Sequence, residues 1–363
     1  MAKILSISEM EKSLLADSDI NDVITGFAPH QSPNQVLSQA EVKREVSALA
    51  RLLIRAYVGW PVHDEIVKRQ VLTQLTRIYG NAHDMSAQEF FDLVRPVISG
   101  IPDNHITLGF KGAQIKSKFV HDHINVGENI AGTNVVATKM LPGNIAAIGF
   151  TRMLKTDEVK ATIIDFAKNM LPQSSALLVD LRGNHGGSSY YSDLFAAHLC
   201  GTKIDSAKRV YLRATPEAKK LSQNTSWANM PESDELVLLR TGENYSINEK
   251  TAYKKPIYIL TDSKTGSSAE MFLLRMIHHP NVTVVGDNSA GMEVYGNMVK
   301  GHLPTSNINI AIGMNYRVLT QDNFETHGYP PDIKCGAGQD ALTIAINDIT
   351  RKQSQLEKSQ HEM

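Results

Sequence analysis

The sequence predicts an α/β protein, with a mixed-sheet core preceded by an N-terminal helical region. Three observations predict it. Before residue 100 apolar residues recur at spacings of three and four; after it, short and nearly continuous apolar runs alternate with helical stretches; glycine and proline are spread evenly, with no internal repeat. The 363 residues allow one large domain or two ordinary ones. The expected division is a helical region over 1–100, a core over 101–350 and a polar tail over 351–363 that frays.

Each element has its own signal. "SQAE" at Ser38–Glu41 has capping-box spacing, and Val42, Val46, Leu49, Leu53 and Ala56 follow on one helical face. A second helix runs from about Asp64 to Gly80, with Val67, Val71, Leu75 and Ile78 on one side. "SAQE" at Ser86–Glu89 caps a third, with Phe90, Leu93 and Val97 inward. Beyond residue 100, "NIAAIGF" (144–150), "ALLVDL" (176–181), "PIYIL" (256–260) and "VTVVG" (282–286) read as strands. Between them, "TDEVKATIIDFAKNML", "SSYYSDLFAAHL" and "SSAEMFLLRMIHH" read as helices, so both faces of the sheet are covered. Further strands around 106–150 and at "INIAIGM" (308–314) make the sheet partly antiparallel.

Composition narrows the class. Apolar residues make up 42% and charged residues 21%, and a net charge of −1 gives no electrostatic basis for binding nucleic acid or an anionic membrane. Cys200 and Cys335 cannot form a disulfide framework, which fits a reducing compartment. The N-terminus lacks the apolar run and cleavage site of a signal peptide, and no stretch approaches the ~20 apolar residues of a membrane span. The expectation is a cytoplasmic chain, or one exported without a conventional signal peptide, since the polar tail resembles an export signal. "HDH" at His121–His123 has no third and fourth ligand at metal spacing and reads as surface loop, and His278 and His279 close a helix where cations suit the dipole. No metal or organic cofactor is expected.

In open α/β sheets ligands gather at the carboxyl ends of strands. Two such loops stand out. "LLVDLRGNHGG" (177–187) runs a strand into a glycine cluster, where backbone must turn tightly or meet a ligand closely. "TDSKTGSSAE" (261–270) is a strand-to-helix turn, where Ser267 or Ser268 is either an N-cap or a nucleophile beside N–H groups at the positive end of a helix.

Together these loops resemble the tail-specific and tricorn-type serine peptidases. The first family motif matches Asp180-Leu181-Arg182-Gly183-Asn184-His185-Gly186-Gly187 and the second Ser267-Ser268-Ala269-Glu270. "IPDNHITLG" is similar to the family's Asp-Gly-His-Thr segment, and "FETHGYPPDI" to its C-terminal acidic–glycine–proline–aspartate segment, so the resemblance runs in order over residues 100–345. It implies a crotonase-like mixed-sheet core. One family design activates serine with a lysine; Met292 stands in that place, and a thioether accepts no proton. The tricorn design uses an upstream histidine and a downstream acid, and His105 and Glu325 match those positions.

The resemblance therefore implies Ser267 as nucleophile, His105 as general base and Glu325 as the carboxylate that fixes the ring. His185, inside the glycine loop, is an alternative base. In the tricorn pattern a serine beside the histidine links to the acid; here the neighbour is Asn104. The oxyanion hole falls to an N–H of Gly186 or Gly187 together with that of Ser268. Arg182 and Asn184 brace the loop, Asp180 has a structural place at the strand end, and Met292 and Glu293 line the site. The implied function is hydrolysis of peptide or protein substrates through an acyl-enzyme. Residues 112–140 are too few for the family's PDZ module, so tail specificity is not expected. Two rivals are a non-catalytic peptide-binding relative and a crotonase-type acyl-thioester enzyme. A histidine base predicts that kcat/KM falls in acid with an apparent pKa near ~6–7.

Overall fold

The computed structural model describes residues 5–116, 124–223, 225–320 and 323–361. The "HDH" segment lies outside them. The described chain divides into two compact units, each assembled from separated segments.

The first unit comprises Met1–Val120, Arg209–Thr241 and Val294–Val318. Its helices include Gln39–Arg51, Glu65–Gly80 and Ala87–Ser99, starting where their caps predict. Ser38, Asp64 and Ser86 each accept a hydrogen bond from the backbone amide three residues on. Val42, Val46, Leu49, Leu53 and Ala56 are all buried. In the third helix Leu93 is 42% exposed and Val94 takes the inward place, because Phe90, Val94 and Val97 follow the spacing of four and then three. An additional helix, Ile7–Leu14, carries its own capping box at Ser6 and Glu9. The sheet of this unit is antiparallel: Ile24–Thr25, Tyr295–His302, Asn309–Leu319, Thr107–Phe110 and Ala113–Lys116 lie in that order. A ribbon of Ala207–Ala214 and Ser233–Thr241 joins it at Asn309–Leu319.

The second unit comprises His121–Lys208, Gly242–Glu293 and Leu319–Met363. It is built on strands β1 (Val136–Leu141), β2 (Ile145–Phe150), β3 (Ala176–Asp180), β4 (Ile257–Thr261), β5 (Val282–Gly286) and β6 (Ile333–Lys334). These lie side by side in chain order, parallel except for the β1–β2 hairpin. β2, β3 and β4 are buried along their whole length, as apolar runs without alternation require when both faces are covered. One face (Ile148, Leu177, Val179, Ile259) packs with Val159, Phe195 and Phe272 of the helices that follow β2, β3 and β4. The other (Ala147, Leu178, Tyr258, Leu260) packs with Ala341, Ala345 and Ile349 of the C-terminal helix. That helix runs Ala341–His361, so the tail expected to fray is helical to its described end. It contains no glycine or proline after Ala341, and Asp348 pairs with Lys352 one turn on at 2.8 Å. Cys200 and Cys335 are buried thiols.

Among the described residues no helix is long and apolar enough to cross a membrane.

Candidate active site

Parallel strands send their following loops to one edge of the sheet, so the loops after β2, β3, β4 and β5 share the carboxyl edge of the second unit. The loop after β3 is held from beneath. Arg182 is 1% exposed; it pairs with Asp180 at 2.7 Å and reaches the Val126 carbonyl at 2.7 Å and Asp340 at 2.8 Å. Asn184 donates to the Phe150 carbonyl at 3.0 Å, while its own carbonyl accepts the Gly266 amide at 2.9 Å. Both side chains thus tie the glycine loop to neighbouring loops.

Two glycines are required by contact. A Cβ on Gly186 would lie 2.8 Å from both the Ser267 Cβ and the Ser268 nitrogen, and one on Gly187 would lie 2.1 Å from the Met153 carbonyl oxygen. Both have positive φ, 85° and 139°. The Gly186 N–H donates to Asn184 Oδ1 at 2.8 Å, which occupies it within the loop. The Gly186 carbonyl accepts the Met153 amide at 3.0 Å. Because the peptide is trans and planar, the Gly187 N–H then points the opposite way. Among the described residues neither that N–H nor the one of Ser268 has an acceptor. The Ser268 hydroxyl donates to the Gly187 carbonyl at 2.6 Å and joins the two loops.

Ser267 stands at the N-cap position of helix Ser268–Met276, but with an unusual backbone. Three serines whose hydroxyls cap helices have extended backbones: Ser6, Ser38 and Ser86 lie at φ −69°, −65° and −73° with ψ near 160°. Ser267 lies at φ 56° and ψ −116°. A non-glycine residue in that region carries strain of order ~1–3 kcal/mol, and such strain persists only where the surroundings enforce it.

Glu270 is what enforces it. Fully buried at the third position of helix Ser268–Met276, it accepts the Ser267 amide at 2.9 Å. It also accepts the Ser289 hydroxyl at 2.5 Å, the Gly291 amide at 2.8 Å and the Met292 amide at 2.9 Å. Burial pushes its carboxyl up to about 7, against the pull of these donors. The loop after β5 thereby clamps the serine turn, and Met292 Sδ lies 3.2 Å from where a Gly266 Cβ would stand. Glu325 accepts the Glu293 amide at 2.8 Å. Glu293 is itself buried; burial and the charges of Glu270 and Glu325 raise its carboxyl to about 10, so it is protonated at neutral pH.

His105 and Asn104 are buried in the first unit. There Asp103 accepts the His105 amide at 2.7 Å and lies 4.0 Å from its Nδ1. The Tyr57 hydroxyl donates to Asp103 at 2.7 Å and is bonded to His63 Nε2 at 3.0 Å. The second unit thus brings together Ser267, Ser268, Gly186, Gly187, Arg182 and Asn184, with Glu325 beside Glu293. His105 and Asn104 belong to the other unit. Sequence reading did not assign Glu270, Ser289, Asp103, Tyr57 or His63. Serine and glutamate three apart is capping-box spacing, which could have given Glu270 its place; no local signal links Tyr57 or His63 to His105.

This fold occurs in a solved structure. It is shared with a candidate peptidase from Parabacteroides merdae ATCC 43184, at TM-score 0.60 and 17% identity over 84% of this chain and 95% of that one. Looser likenesses are to a lipoprotein from Streptococcus agalactiae (TM-score 0.44, 16% identity, 87% of this chain and 97% of that one) and the tricorn protease (0.34, 16%, 58% and 18%). Residues 144–335 match the model of peptidase family S41, and the chain belongs to that family.

Proposed function

We propose that the protein is a serine peptidase acting through an acyl-enzyme, with Ser267 as nucleophile, His105 as general base and Glu325 as its supporting carboxylate. The observation that carries this reading is the strained backbone of Ser267 beside two N–H groups that have no acceptor among the described residues. Ser267 Oγ attacks the scissile carbonyl as His105 takes its proton. The carbonyl oxygen, now negative, is received by the N–H groups of Gly187 and Ser268; Gly186 serves by close packing, its own N–H being used by Asn184. His105 then returns the proton to the leaving amine and the acyl-enzyme remains. Water attacks it with His105 again as base, and the second product leaves as a carboxylic acid while Ser267 regains its proton. Asn104 takes the place where the tricorn pattern has a linking serine. The substrate is a peptide or protein, and the reaction needs neither metal nor organic cofactor.

Hydrolysis of a peptide mixture in H2¹⁸O tests the reading. One ¹⁸O should enter each new carboxyl terminus with wild type and none with Ser267→Ala. Equal incorporation by both proteins would remove Ser267 from the chemistry. Turnover of a coenzyme A ester that survives Ser267→Ala would point to the thioester rival, and peptide binding without any cleavage to the non-catalytic one.

A further inference from the structure

The hydrogen bonds behind His105 have a direction. A phenol has one proton to give. Tyr57 places it on Asp103 Oδ2 at 2.7 Å, so its oxygen must accept from His63 Nε2 at 3.0 Å. That makes His63 the neutral Nε2–H tautomer, in keeping with burial, which lowers its pKa to about 4. Asp103 is 0% exposed, and its other oxygen accepts the His105 amide at 2.7 Å while lying 4.0 Å from His105 Nδ1. The Ile106 amide also bonds to this carboxylate. An Asx turn at a loop needs one acceptor oxygen and no buried tyrosine–histidine pair behind it.

We propose that Asp103, oriented by Tyr57 and through it by His63, is a positioning carboxylate for His105 that stabilises the imidazolium formed as the base takes its proton. The inference rests on the serine peptidase reading given above and adds to it a chain of residues that touches neither substrate nor nucleophile. Burial raises the Asp103 carboxyl to about 6, and Tyr57 together with the two amides opposes that rise. Its charge is therefore sensitive to the loss of a single donor near neutral pH. The titratable groups around the chain within the first unit are few. Asp64 and Lys68 act on His63 with opposite sign. Tyr295 packs its ring on Tyr57 and His63 at 5.9 and 5.6 Å, and Arg317 bonds to the Tyr295 carbonyl at 3.2 Å. Glu325 is the second carboxylate of the ring in the proposed triad.

Two variants should move the acid limb of kcat/KM in opposite directions. Tyr57→Phe removes a donor from the charged form of Asp103, so the limb shifts to higher pH and activity lost at pH 6–7 returns near pH 8–9. Asp103→Asn removes the charge, so the limb shifts to lower pH with a plateau reduced by roughly 10–10³-fold. Shifts of about half a pH unit or more in these opposed senses support the inference. If wild type shows Ser267-dependent turnover and both variants keep its limb while losing only thermal stability, Asp103 is a turn acceptor and the inference fails alone. If wild type shows no Ser267-dependent turnover at any pH, the peptidase reading fails and takes the inference with it. Should the variants not fold, ¹⁵N imidazole spectra of wild type still decide the chain's direction. His63 must remain the neutral Nε2–H tautomer from pH 5 to 8; an Nδ1–H ring, or titration within that range, overturns the proposal.

Discussion

Ser267 occupies φ 56° and ψ −116°, a region that glycine enters freely and serine enters only under constraint. Ser267→Gly should therefore raise unfolding free energy by about 1 kcal/mol while abolishing hydrolysis, with thermal melts and peptide assays reading the two effects. A variant that melts lower than wild type would show that the serine is comfortable there. Gly187 is constrained from the other side, since a Cβ would sit 2.1 Å from the Met153 carbonyl. Gly187→Ala should displace the loop and lower kcat by about 10²–10³-fold, the usual cost of losing an oxyanion donor; unchanged kcat would move the hole elsewhere. At this scale several residues forming one motif were enough to single out the Ser267 turn and the glycine loop, which the structure packs together at Gly186. It was not legible in the fate of a single N–H. That Gly186 gives its proton to Asn184 depends on how the loop closes, which no spacing reveals.

Among elements, helix Ser268–Met276 and the loop after β5 behave as one piece because Glu270 accepts from both. Glu270→Gln replaces one acceptor oxygen by a donor NH2 among buried donors, and should destabilise by about 2–3 kcal/mol. It should also lower kcat with KM little changed, because the clamp positions Ser267, the proposed nucleophile, and binds no substrate. A fall in KM-dependent terms alone would contradict that role. Local signals served well for elements that announce themselves. Ser38 and Ser86 cap where they stand, and the buried strands β2, β3 and β4 are nearly pure apolar runs. They failed where two spacings compete: Leu93 and Val94 are both in helical register with Phe90, and only packing chooses Val94. The ribbon Ala207–Ala214 and Ser233–Thr241 escaped notice because charged and apolar residues mix along one mostly buried and one mostly exposed strand, with register shifts between them. The C-terminal helix beyond residue 350 has too few apolar residues for periodicity to show, although it has no breaker either.

For the whole molecule, the sequence foretold an α/β layer with helices on both faces and a helical N-terminal stretch. It did not foretell that residues 209–241 and 294–318 would join that stretch in one unit, since such assembly is set by long-range strand pairing. Several buried carboxyls link global stability to pH, Glu293 most strongly. The Glu293 carboxyl is raised to about 10 in the fold, whereas an unfolded glutamate titrates near ~4.3. Its contribution is therefore fully present below the unfolded value and is lost as pH rises towards the folded one, by about 1.4 kcal/mol per unit. Denaturant unfolding at pH 5, 7 and 9 should show stability falling with pH, and Glu293→Gln should flatten that fall; parallel curves for the two proteins would mean that Glu293 is ionised in the fold. The central claim concerns one oxygen, and it is tested most directly by treating the protein with a reactive fluorophosphonate and mapping the adduct by peptide mass spectrometry. The account predicts a single modification on Ser267, lost in Ser267→Ala and slowed below about pH 6 as the histidine base is protonated. Labelling elsewhere, or none at any pH from 5 to 9, would contradict it.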